Sequence, residues 1–197
     1  RDDAAAAAAA PVDGVAPLPD DFGKSQFWYS DECADALAKP LLGGRVAVVS
    51  CPTVHRALDR AGDGTAVLFE FDERCGAHLG DRFHKYDFNA DFREATPAKF
   101  ENAFDVVVLD PPYVSRDCVE AFWAFGRWLA ASDAPTAVFL TSVVNRSWLP
   151  ELGGLRLTAF DLVFTSKLAT PLRAFTNADA VAASLGGYVE DSDDSDG

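Results

Sequence analysis

Methionine is absent from all 197 residues, the first position included, so the natural start of the chain is expected to lie upstream of Arg1. Histidine occurs only as His55, His78 and His84, with no common spacing or partner, and none of the three reads as a ligand or base. The four cysteines, Cys33, Cys51, Cys75 and Cys118, form no CxxC pair. That scatter argues against a zinc site and against the disulfide framework of a small secreted chain. No metal is therefore expected, and the thiols read as reduced, in the cytoplasm or nucleus. No apolar run approaches the roughly 20 residues a membrane helix needs. The alanine run Ala4 to Ala10 follows two aspartates and lacks the leucine-rich middle of a secretory signal.

Basic charge is also scarce, with 17 lysines and arginines against 31 acids for a net charge of −14. Residues 1–21 carry five acids and one base, and residues 190–197 five acids and no base, leaving 21 acids and 16 bases between them. Both ends read as solvated tails, 1–21 alanine-rich and then broken by Pro11, Gly14, Pro17 and Pro19, which leaves one domain over 22–189. A mildly acidic body is a poor match for a phosphate backbone, so nucleic acid is disfavoured and a basic protein partner suits better.

What is present is an apolar chain, 49% hydrophobic, arranged as short β-branched runs alternating with helical patterns. Ser30 is placed to cap a helix through Lys39, with Asp31 and Glu32 in its first turn. RVAVVS (45–50), AVLFEF (66–71), RFHKY (82–86), FDVVVL (104–109) and AVFLT (137–141) read as strands. Helices are expected at 52–60, opened by Pro52, and at about 117–131. Two last strands, 155–164 and 172–176, follow with no helix between them. Continuous apolar strands separated by helices predict a doubly wound, mainly parallel α/β sheet. The closing strand pair resembles the class I (Rossmann-like) methyltransferase fold, in which the last strand inserts antiparallel.

In such sheets ligands gather at the carboxyl ends of the strands. After the fourth strand stands Asp110-Pro111-Pro112-Tyr113. Two prolines fix φ and hold the loop extended. The Asp110 carboxylate and a prolyl carbonyl can accept the two hydrogens of an amino group while Tyr113 offers an aromatic face, leaving the nitrogen lone pair aimed at an electrophile. The plainer alternative is a rigid strand-exit turn. Glu70 ends the second strand, where an acid can accept from both ribose hydroxyls of a nucleoside, and Asp72 stands beside it. A solvated strand end is the alternative. Asp87, after the third strand, could meet an adenine amino group or merely decorate the surface.

The combination QFWYSDE (26–32), LFEFD (68–72), FDVVVLDPPY (104–113) and LRAFTNAD (172–179) resembles the lysine methyltransferases of translation elongation factor 1-alpha, first catalogued as N6-adenine methyltransferases. The likeness extends over about residues 24–180. It implies S-adenosyl-L-methionine as cofactor, an N-methyl transfer, a catalytic loop at Asp110, Pro111, Pro112 and Tyr113, and an N-terminal segment folded over the cofactor. In that segment Phe27, Trp28 and Tyr29 could stack on adenine or form a lid, or pack into the core. One departure from methyltransferases at large lies after the first strand. A glycine-rich GxG loop is usual there, whereas this chain has Ser50-Cys51-Pro52-Thr53, as the resembled family does. Ser50, Cys51 and Thr53, with the amides of the helix that follows, could still hold the cofactor's carboxylate, or simply cap the helix. The same loop would serve N6-adenine methylation of DNA or RNA, and a catalytically silent scaffold is the third reading.

Overall fold

The computed structural model describes residues 28–165 and 171–190. The tail assigned to residues 1–21, all but Glu190 of the tail assigned to 190–197, Gln26 and Phe27, and the join between the last two strands at 166–170 lie outside them.

The strands are β1 (Val46–Val49), β2 (Val67–Glu70), β3 (Phe83–Lys85), β4 (Val106–Leu109), β5 (Thr136–Ser142), β6 (Arg156–Asp161) and β7 (Leu172–Thr176). They form one seven-stranded sheet in the order β3-β2-β1-β4-β5-β7-β6. Neighbours from β3 to β5 run parallel, and β7 lies antiparallel between β5 and β6. The inserted antiparallel last strand is thus as expected from the closing strand pair.

Every residue of β1, β2 and β4 is buried, because both faces of the sheet are covered. Val46, Val48, Leu68, Val106 and Val108 face one apolar cluster with Leu37 of α1 (Asp31–Ala38), Leu58 of α2 (Pro52–Arg60) and Val181 of α6 (Asp179–Ser184). Their neighbours Ala47, Val49, Phe69, Val107 and Leu109 face the other cluster, against Phe122, Phe125 and Leu129 of α4 (Arg116–Leu129). The helical aromatics at Phe122, Trp123 and Phe125 are packing, as their spacing suggests. A β-carbon on Gly126 would stand 2.9 Å from Leu109 Cδ1, so α4 presses directly on the strand that delivers Asp110.

Helix starts follow the local sequence. The Ser30 side chain accepts from the Cys33 amide to cap α1, and Pro52 opens α2. Three short helices, α3 (Phe92–Ala95), α5 (Leu149–Gly153) and α6, fall where the sequence pattern suggests none. The shortest, α3 and α5, run four and five residues, too short for an apolar stripe to repeat, and α6 has only six.

Candidate active site

The parallel strands β1, β2 and β4 end on one edge of the sheet, and each delivers part of a polar group there. From β4 comes Asp110, whose amide still donates to the Val49 carbonyl at 3.1 Å, so the loop leaves the sheet only after this residue. Its carboxylate accepts from the Tyr29 hydroxyl, Oδ2 to Oη 2.9 Å, and from the Cys51 thiol. Burial is the main reason its pKa rises to about 7, opposed by those two hydrogen bonds and reinforced by the nearby charge of Glu70. The same enclosure, with Asp110's charge second, pushes the Tyr29 hydroxyl and the Cys51 thiol well above their usual values. Phenol and thiol therefore stay protonated and donate.

Beyond Asp110, Pro111 is buried, Pro112 partly buried and Tyr113 is 53% exposed, its ring edge-on to Phe88 at 6.0 Å. The Asn145 amide, itself buried, donates to the Val114 carbonyl at 3.1 Å and to Thr141 Oγ1 at 3.0 Å. It ties the end of this loop to the end of β5. Nothing but a long-range contact marks Asn145, and sequence reasoning passes over it.

At the end of β1 the Ser50 backbone turns with φ +57°. This is the left-handed conformation that a glycine-rich loop supplies without strain. The glycine is replaced, yet the turn it serves is kept. Ser50→Val is accordingly expected to lower stability by about 1–2 kcal/mol, since a β-branched residue tolerates this conformation worst, while Ser50→Gly stays within about 1 kcal/mol of the parent. Chemical denaturation of the three proteins checks the order. Cys51 and Thr53 are buried. The Val54 amide donates to the Cys51 sulfur, so one helix-start donor is already engaged, while the helix N-terminus as a whole still favours an anion.

Glu70 is buried at the end of β2, and its Oε1 accepts from the Asp72 amide at 3.0 Å. Asp72, expected beside it at the same subsite, is buried as well. Its carboxylate caps the next 3₁₀ turn through the Arg74 amide and pairs with the Arg74 guanidinium. Asp87 Oδ1 accepts from both the amide and the side chain of Asn89, which commits that oxygen to its own turn. Trp28 Nε1 is buried with no hydrogen-bond partner among the described residues, and the Thr165 amide donates to the Trp28 carbonyl at 2.8 Å. Tyr29, read as stacking, lid or core, is core, 2% exposed, with only its hydroxyl reaching the site.

These features fit a sulfonium nucleoside with an amino-acid tail. A buried acid at a strand end suits hydroxyls, a helix start suits a carboxylate, and an unpartnered indole N–H can donate to a ligand. His55, by contrast, is buried against the Ala66 carbonyl, Nε2 to O 3.0 Å, with burial lowering its pKa. Among the described residues, no group of His, Cys, Asp or Glu could hold a metal ion. None of their helices is long and apolar enough to cross a membrane. A cleft of about 460 Å³ opens on the opposite edge, between Gly43–Arg45 and Gly62–Thr65, away from all of these groups.

Comparison with solved structures places the fold among the class I methyltransferases. The chain superposes on the branched-chain polyamine synthase of Thermus thermophilus with a TM-score of 0.60 at 16% identity, covering 88% of this chain and 64% of that one. It also superposes on the RNA-methyltransferase candidate PH1948 of Pyrococcus horikoshii, with a TM-score of 0.54 at 15% identity over 80% and 86% of the two chains. Residues 20–180 match the family described as "Probable N6-adenine methyltransferase". EEF1A lysine methyltransferase 1 of Homo sapiens is 32% identical over 79% of this chain and 74% of its own length, and that of Danio rerio 32% over 78% and 95%. The Saccharomyces cerevisiae protein-lysine N-methyltransferase EFM5 is 34% identical over 54% of this chain and 46% of its own length. The chain belongs to this family and is a methyltransferase; family and fold together imply S-adenosyl-L-methionine as the methyl donor.

Proposed function

We propose that this protein transfers a methyl group from S-adenosyl-L-methionine to the ε-nitrogen of a lysine in a basic protein, and that the protein is elongation factor 1-alpha. The observation that carries the reading is the Asp110 carboxylate, enclosed at the end of β4 and held by Tyr29 and Cys51. Ser50, Cys51, Thr53 and the helix-start amides would hold the cofactor's amino-acid end and Glu70 its ribose, and the Trp28 indole would offer it a hydrogen bond. Asp72, tied to Arg74, supports the turn beside Glu70, and Asp87, after β3, would meet the adenine amino group with the carboxylate oxygen that its Asn89 turn does not use. The cofactor supplies a methyl on a positively charged sulfur.

The amine must arrive without its extra proton, because an ammonium has no lone pair. Asp110 accepts one N–H and a prolyl carbonyl of the loop the other, so the lone pair faces the methyl carbon. Tyr113, largely exposed, forms an apolar wall that strips water from the entering side chain. With the cofactor bound, its sulfur would keep the electrons of the bond to the methyl carbon as the amine takes that carbon, and the extra proton on the product nitrogen would leave to solvent.

Support for a protein acceptor comes from the names of the relatives and from the charge of the body, 21 acids to 16 bases over residues 22–189. The reduced thiols and this partner both suit the cytoplasm. Incubation of the enzyme with labelled cofactor and a cell extract should label a protein of translation-factor size. Protease treatment of the extract should abolish the signal and nuclease should not; the reverse result would move the assignment to adenine, with Asp110 and Tyr113 in the same roles. If charge steers the encounter, kcat/KM should fall roughly tenfold between about 50 and 300 mM salt, and removal of residues 190–197 should flatten that dependence.

A further inference from the structure

Tyr29 lies 81 residues from Asp110 in the chain, yet its hydroxyl donates to Asp110 Oδ2 at 2.9 Å. The ring is fixed from outside the site. Tyr29 pairs antiparallel with Phe164, beyond the end of β6, with ring centroids 4.8 Å apart. The Ser30 amide donates to the Val163 carbonyl at 2.8 Å, and the Val163 amide donates to Cys33 Sγ at 3.4 Å. A carboxylate on a loop can rotate about its last bond. Here one oxygen is anchored to a rigid phenol borne by a different segment.

We propose that Tyr29 is a positioning residue for the methyl transfer, its hydroxyl locking the Asp110 carboxylate in the orientation that receives the amine. The inference rests on Asp110 being the group that addresses the acceptor. Among the described residues, four groups act on that carboxylate: Tyr29 ahead of α1, Cys33 within α1, Cys51 at the start of α2 and Glu70 at the end of β2. Tyr29 and Cys51 donate to it, while Glu70 repels it. A donor to a carboxylate favours the ionised form, so loss of the Tyr29 hydroxyl moves Asp110's protonation to higher pH as well as freeing its rotation.

The test is Tyr29→Phe, which keeps the ring against Phe164. At saturating cofactor, kcat should fall more than about tenfold near pH 6.5 and stay several-fold below the parent value near pH 9, where the carboxylate is ionised in both proteins but free to rotate in the variant; the acid limb moves up by about one unit, with cofactor Kd unchanged within about twofold. A fluorinated tyrosine at position 29, isosteric and a stronger donor, should shift the limb the opposite way and covers the case in which the phenylalanine variant folds poorly. Infrared titration of the Asp110 carboxyl, isolated by subtracting Asp110→Asn, should move in the same directions. Profiles that coincide for all three proteins would overturn the positioning role. Near-normal turnover by Asp110→Asn would instead overturn the reading of Asp110 itself, so the two failures are distinguishable.

Discussion

Replacing Asp110 by asparagine is expected to reduce turnover by about 10²–10⁴-fold while making the folded protein more stable above neutral pH. The first effect follows from losing the charged acceptor that orients the amine. The second follows from linkage. Asp110 has a folded-state pKa of about 7 against an ordinary value of 3.8, so between those values the folded protein binds the proton more tightly than the unfolded chain. Stability from this group is full below pH 3.8 and is lost as pH rises towards 7. Asparagine, which never ionises, escapes that loss, and its amide can still accept from Tyr29. The gain at pH 8 should be on the order of 2 kcal/mol, less than the full shift would give because the residue is only partly enclosed. Below about pH 4 the two proteins should have similar stability. Denaturation curves at the two pH values check this, and a residue serving only as a strand-exit turn would show neither the activity loss nor the crossover.

Glu70→Ala should have the opposite profile, sparing the chemical step and weakening the cofactor. On the proposed reading the buried carboxylate at the end of β2 accepts from a pair of ribose hydroxyls, and leaving them unpaired costs about 1–3 kcal/mol, or roughly 5–150-fold in Kd. Glu70→Gln should lose less, because its side-chain oxygen can still accept from the Asp72 amide that Glu70 Oε1 now holds. Calorimetric titration with S-adenosyl-L-methionine separates the two variants. Wild-type affinity in Glu70→Ala would remove Glu70 from the cofactor site.

Local chemistry made much of this molecule readable in its sequence. The β-branched VVVL before Asp110 reads as a strand covered on both faces, Pro52 marks a helix start, and the closing strand pair signals the antiparallel insertion. What stayed hidden depends on pairs far apart in the chain or on a side chain choosing between neighbours. Glu70 and Asp72 both suit a ribose subsite by type and place. Only the structure shows Arg74, two residues on, drawing Asp72 into a cap. Trp28 and Tyr29 read alike in the sequence, but only the structure shows the Tyr29 hydroxyl meeting the Asp110 carboxylate, a contact no periodicity encodes. The missing GxG is a similar case. Residue type said the glycine turn was lost, and the φ of Ser50 shows that its shape survives.

The central claim is that Asp110 directs a methyl group onto a lysine side chain of elongation factor 1-alpha. Elongation factor 1-alpha purified from cells lacking the enzyme, incubated with labelled S-adenosyl-L-methionine and then hydrolysed to amino acids, tests it most directly. All label should be recovered as ε-N-methylated lysine with the wild-type protein, and almost none with Asp110→Asn. Label on any other residue, or undiminished lysine label from the Asp110→Asn protein, would contradict the account.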